Sequence, residues 1–252
     1  MKTIFRVASL IATVSLIGAG CSQSPSSDSP SPSSPPEARS GAPAVGIGRS
    51  DCFNLYYPLK AGSTIEYKMS SGNPLSIHVA EHTKDSIKLD YTFTVKGQQS
   101  TMTNELVCDN GNIHGKGFFD FASRLSGLDI SYETLKMEGE VLPSDLTVGR
   151  AWTLDTEVVV HTNDARMQAI LEGKHQTTHI ESKVVGEEDV TVAAGTFHAL
   201  KIEQTIMVDT GIQAAKVTTT GMAWYVKDIG LVKSENKIGT AVSGMEATKI
   251  TE

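Results

Sequence analysis

The sequence predicts an all-β protein built on an antiparallel, strongly curved sheet or half-open barrel, with little helix. Two observations carry this: a side-chain period of two in most of the chain after residue 50, and turn-forming residues punctuating the periodic runs. In SIKLDYTFTVK, residues 86–96, Ile87, Leu89, Tyr91, Phe93 and Val95 alternate with Lys88, Asp90, Thr92, Thr94 and Lys96. One apolar and one wet face mark a half-buried antiparallel strand. The same alternation runs through Leu154, Thr156, Val158 and Val160, and through Leu200, Ile202, Gln204, Ile206 and Val208. Lys84-Asp85-Ser86, Gly97-Gln98, Asp109-Asn110-Gly111, Ala194-Gly195 and Asp228-Ile229-Gly230 separate the runs, and about ten strands result.

Helical signal is thin. NDARMQAILEG could be capped by Asn163 or Asp164 and stopped at Gly173, but the strands on both sides favour the tip and return strand of a long hairpin. FFDFASRLSGL, residues 118–128, has room for one helical turn. YPLKAGSTIEY and LPSDLTVGRAWTL each lead through a glycine, Gly62 and Gly149, into a strand start, which suggests two similar half-sheets. Coincidence is the alternative.

The first fifty residues have another purpose. Lys2 and Arg6 precede a short apolar run to Ile17, about fourteen residues where a bilayer span needs roughly 20. That is a secretory leader, residues 1–20. Gly18-Ala19-Gly20-Cys21 resembles the lipobox of bacterial lipoproteins, with Gly18 where that pattern usually has Leu. The resemblance implies that the Cys21 thiol carries acyl chains of the palmitate class and anchors the mature chain in a membrane. Ser22, rather than an aspartate, points to the outer membrane or cell surface. Residues 22–50 hold ten Ser and six Pro and almost no large apolar side chain. Such a segment cannot offset its ordering entropy, so residues 21–50 read as a disordered tether reaching roughly 30 Å. Residues 51–252 then form a single β-rich domain.

Charge and cysteine count narrow the classes. The chain carries −7, and loss of Lys2 and Arg6 with the leader makes it more negative still. No basic cluster breaks the domain, which argues against nucleic acid as a partner. Of three cysteines, acylation of Cys21 leaves Cys52 and Cys108 as a pair in an oxidising compartment. A disulfide there closes a loop of about 57 residues and restricts the unfolded chain by about 4 kcal/mol in the entropy model. Two unpaired thiols are the alternative.

CFNLYYPLKAGSTIEYKM, EDVTVAAGTFHALKIEQT and WYVKDIGLVKSE together resemble the DUF3108-like exported proteins of the bacterial envelope, over most of residues 51–238. The chain departs from that pattern at Ile65, where an aromatic is common, and at Ala193, where proline is. The resemblance implies an antiparallel, curved or half-open barrel on an exported protein, and it brings no catalytic residues. The motifs also have a local reading. Gly195 permits the positive φ of a tight turn, and Trp224 and Tyr225 point to opposite faces, one core and one partly wet.

Chemical motifs are few. HVAEH, residues 78–82, matches the inverted zinc-peptidase pattern, which needs a helix to bring residues four apart within about 6 Å. Pro74 and the alternation of Leu75, Ile77 and Val79 make it a strand, where that spacing is about 13 Å and two rings cannot share a zinc ion. His175 and His179 fail by the same geometry. CDNGN reads as a hairpin turn on Asn110-Gly111 rather than a calcium loop. No nucleophile elbow, phosphate loop or dinucleotide fingerprint occurs. No metal, cofactor or catalytic residue is expected. The function expected is a non-catalytic, membrane-anchored envelope lipoprotein that binds an apolar ligand or lipid on its curved sheet, through Leu89, Tyr91 and Phe93. A structural or interaction protein with a self-filled core is the alternative, and a hydrolase with an unrecognised carboxylate site a second one.

Overall fold

The structure is a computed structural model that describes residues 52–57, 60–95, 97–117, 129–212 and 216–252. Twelve strands among these residues form one antiparallel sheet. They are β1 Thr64–Met69, β2 Pro74–His82, β3 Ser86–Val95, β4 Gln98–Asp109, β5 Asn112–Gly115, β6 Ile130–Gly139, β7 Ala151–Thr162, β8 Lys174–Val192, β9 Gly195–Asp209, β10 Lys216–Val226, β11 Gly230–Ile238 and β12 Ala241–Thr251. The order is β5-β4-β3-β2-β1-β12-β11-β10-β9-β8-β7-β6. Two meanders thus meet where β1 pairs with β12, and the sheet curls into a nearly closed barrel with one seam, between β5 and β6. Two strands beyond the expected ten are present, and the four-residue β5 is too short to carry a period.

The period of two is borne out. On β3, Ile87, Leu89 and Phe93 are buried, and on β9, Leu200, Ile202, Ile206 and Val208 are. The predicted turns fall between strands, with Asn110 at φ 49° and Gly111 at φ 84° giving the left-handed pair of a tight hairpin. Trp224 and Tyr225 do part company: the buried indole joins one apolar cluster and the half-buried phenol packs on another.

NDARMQAILEG is a correction. Ala165–Leu171 is a helix, α1, set at the tip of the β7–β8 hairpin. Asp164 caps it, its carboxylate accepting from the Arg166 N–H at 3.0 Å. Met167 and Leu171 then pack on Ile130 and Val160. Flanking strands dictate a reversal of direction, and a short capped helix makes that reversal while burying two apolar side chains. FFDFASRLSGL lies outside the described residues.

The repeated glycines mark a repeated structure. The Gly62 N–H donates to the Val79 carbonyl at 2.8 Å and the Val79 N–H to the Ser63 carbonyl at 2.9 Å. In the second meander, Gly149 and Val184 make the same bond at 2.8 Å, and Val184 and Arg150 the return bond at 2.9 Å. A bulge follows each valine, between Val79 and Glu81 on β2 and between Val184 and Gly186 on β8. The next strand is then IKLDYTFTV in one copy and LKIEQTIMV in the other. Val79, Ile87 and Leu89 share one buried cluster with Val184, Leu200 and Ile202, so the two copies pack core to core across the barrel.

Candidate functional site

Chain direction separates the two ends of the barrel. The β2–β3, β4–β5, β6–β7, β8–β9 and β10–β11 turns lie at one end, with the N-terminal segment Cys52–Tyr57. That segment is laced across the end. Cys52 is bonded to Cys108 on β4, as the cysteine count predicts, and the Cys52 N–H donates to the Lys84 carbonyl at 3.2 Å. The Asp228 N–H of the β10–β11 turn donates to the Leu55 carbonyl at 2.7 Å. Asn54, 1% exposed, donates its amide to the carbonyls of Gly111 and Pro143 at 2.9 and 3.0 Å. Gly111 and Pro143 belong to opposite sides of the seam. Beside them Ile113 and Leu142 form a backbone bridge, His114 Nδ1 lies 2.8 Å from the Gly139 carbonyl, and the Met137 side chain lies over Gly115. The end at which residues 1–51 join the barrel is therefore closed and cross-linked.

Leu89, Tyr91 and Phe93 line one inward wall, as their alternation predicts. Leu89 is 1% and Phe93 2% exposed, while Tyr91 is half-buried. Register places Val79 beside Leu89, Ile77 beside Tyr91 and Leu75 beside Phe93. Leu89 joins the cluster that includes Val184 and Ile202 of the far wall, and Phe93 a second cluster with Tyr67, Trp224, Val232 and Ala247. Ile77 and Tyr91 pack on both clusters. Tyr57, Tyr67 and Tyr225 gather around Tyr91, and burial pushes all four phenols above their ordinary value. The Tyr57 hydroxyl hydrogen-bonds Tyr91, and the Tyr67 hydroxyl donates to the Leu231 carbonyl at 2.6 Å. The hydroxyls of Tyr57, Tyr67 and Tyr91 are thus supplied with partners inside the barrel, which makes their burial tolerable.

His78 and His82 sit on strand β2, and Thr64 Oγ1 lies 2.9 Å from His78 Nδ1. On the outer surface of β6–β8, carboxylates flank His161, His175 and His179. His161 Nδ1 lies 3.0 Å from Glu172 and its Nε2 3.5 Å from Glu133; His179 Nδ1 lies 2.7 Å from Asp155. His175 Nδ1 lies 3.0 Å from Glu157. Bonds to Glu172 and to Asp155 hold the His161 and His179 rings above the ordinary imidazole value. Among the described residues, no group of three or more His, Cys, Asp or Glu side chains is placed to hold a metal ion. A shallow outer depression of about 500 Å³ is lined by Trp152, Glu181, Lys183 and Glu203, without a convergent set of catalytic groups.

Sequence reasoning missed three features. Asn54 carries no local signal, because its partners lie 57 and 89 residues away. The tyrosine group needs the closed barrel to assemble. Trp224 donates to Glu188 at 2.7 Å with the ammonium groups of Lys201 and Lys233 5.5 and 5.2 Å from its ring centroid. Register alone brings those lysines beside the indole. Cys21 lies outside the described residues.

The fold and closed end define a class: an antiparallel barrel with one seam and a cross-linked entry segment. The chain belongs to the DUF3108-like family, whose model matches residues 63–246, a family of unknown function. Two solved structures share the fold. A candidate exported protein from Bacteroides fragilis, described as having a YmcC-like fold, is 17% identical and aligns at a TM-score of 0.54. The alignment covers 79% of this chain and 100% of that one. A candidate lipoprotein from Parabacteroides distasonis is 16% identical at the same TM-score, over 79% of this chain and 99% of its own. No curated protein matches the chain.

Proposed function

We propose that this protein is a lipid-anchored, non-catalytic component of the bacterial envelope that acts as a structural or interaction body at the end of a tether. The observation that carries the reading is the cluster joining Leu89 on one wall to Val184 and Ile202 on the other. Side chains of the protein itself meet across the barrel where an apolar ligand on Leu89, Tyr91 and Phe93 would lie. Packing of this kind supports a core filled by the protein's own side chains rather than by an acyl chain. The exported and lipoprotein descriptions of the two structural neighbours support an envelope location, and the lipobox-like Cys21 supports the anchor.

The test is native mass spectrometry of the full mature chain, made with Cys21→Ser and exported through an ordinary leader. A clean apo mass is expected. A co-purifying lipid mass, lost when Phe93 is made polar in a variant that still folds, would establish the apolar-ligand reading instead.

A further inference from the structure

The inward face changes character across the second meander. Thr156, Gln176, Thr178, Ser182, Thr219 and Ser234 are each more than nine-tenths buried. Register puts them on the inward face. Ser182 lies two residues from the core Val184 on β8, and Ser234 opposite Ala223, itself opposite the core Ile202. Thr178 faces Thr156 across β7–β8, Gln176 faces Val158, and Thr219 faces the buried Ile206. None of the six side chains hydrogen-bonds another protein group.

Leaving one buried polar group unsatisfied costs about 1–3 kcal/mol, so six stranded groups would threaten the whole margin of stability. Their polar atoms are not wholly enclosed by protein. Among the described residues, the single side-chain polar atom both enclosed and without a partner is Ser63 Oγ. The six groups therefore border space of at least water size. Every one is a hydroxyl or an amide. An acyl chain there would strip water from these groups and return no hydrogen bond, and an ion would meet no counter-charge among them.

We propose that this inward face of β7–β11 is a binding chamber for a small neutral polyhydroxylated molecule of the sugar or polyol class. It is separate from the apolar wall of Leu89 and Phe93 and does not depend on the reading given above. Ligand hydroxyls would replace the water on Gln176, Thr178, Ser182 and Ser234, and Gly221, opposite Gln204 in the Ser182 row, adds no side chain to obstruct them.

Two measurements on the full mature chain carrying Cys21→Ser test it. Thr178→Cys and, separately, Ser234→Cys should react with a small uncharged thiol reagent in the folded protein. D-glucose and N-acetyl-D-glucosamine at millimolar concentration should shift backbone amide resonances of β7–β11, and Gln176→Leu with Ser182→Val should weaken that response about tenfold or more. Thiols that react only on unfolding, an absence of shifts with both sugars, or shifts indifferent to the double variant would each overturn the proposal. The two cysteine reporters stand should the double variant fail to fold. Laurate in the same titration separates the two readings: shifts around Leu89 and Phe93 would sink the self-filled core and leave the chamber standing.

Discussion

Asn54 donates its side-chain amide to the Pro143 carbonyl, 89 residues along the chain, at 3.0 Å, and its other bond goes to Gly111 on the opposite side of the seam. One buried amide thus ties the two free ends of a twelve-stranded sheet. Asn54→Ala leaves both carbonyls without that donor and should cost about 2–4 kcal/mol. Asn54→Asp should cost at least as much, because a carboxylate offers the carbonyls no donor. Urea unfolding of both variants measures this, and wild-type midpoints would show the seam to be held elsewhere.

The disulfide secures the same end. Cys52→Ala with Cys108→Ala should lower stability by about 4 kcal/mol in the entropy model, and reduction of the wild type should do the same. Limited proteolysis should then reach residues 52–57, which the intact bond protects. Unchanged stability on reduction would contradict this.

Much of this architecture is legible locally. Strand β3 announces itself because five apolar residues alternate, and the β4–β5 turn because Asn110-Gly111 suits left-handed backbone. The glycine turns before β1 and β7 are readable too, since each needs a positive φ, 91° at Gly62 and 95° at Gly149. Closure is not. Nothing in TIEYKM or AVSGMEATKIT specifies that Tyr67 pairs with Ala247, because both strands have suitable apolar faces for other neighbours. Tyr91 illustrates the limit at the candidate site. Its inward direction follows from period two, yet its neighbours Tyr57 and Tyr225 come from the entry segment and from β10.

The histidine pairs predict a pH dependence. Partners Glu172, Asp155 and Asp189 raise the folded values of His161, His179 and His198 above 6.5. Their contribution to stability is therefore full below the unfolded value and is lost as pH rises through the folded values. The melting temperature should fall in that window, with a smaller drop at high salt, since these groups are exposed. Proton NMR titration of the imidazoles should find these three midpoints above 6.5, and Glu172→Gln should lower that of His161. Midpoints at or below 6.5 would remove the basis for the effect.

The anchor is tested by fractionation. Wild-type protein should sediment with membranes and need detergent for release, because each buried methylene contributes about 0.8 kcal/mol and two or more chains hold firmly. Cys21→Ser should be soluble or remain as uncleaved precursor. Detergent-free release of the wild type would refute acylation.

The repeated glycine turns offer a comparison between strain and collision. A Cβ at Gly62 or Gly149 meets nothing within 4 Å, so Gly62→Ala and Gly149→Ala differ from the wild type in backbone conformation alone. Each should cost about 1–3 kcal/mol, the expense of holding an L residue at a left-handed φ. The two turns bond different partners, Val79 and Val184, so the double variant should lose the sum within about 0.5 kcal/mol. Gly139→Ala is different in kind. At φ 99° its Cβ would stand 2.1 Å from the Thr153 carbonyl oxygen, a backbone atom that must move. The Glu140–Thr153 bond and the end of the β6–β7 pairing move with it, beside the seam. Its loss should exceed either of the other two, and amide exchange should quicken along β6. Equal losses at all three glycines would mean that the seam gives way as readily as an open turn.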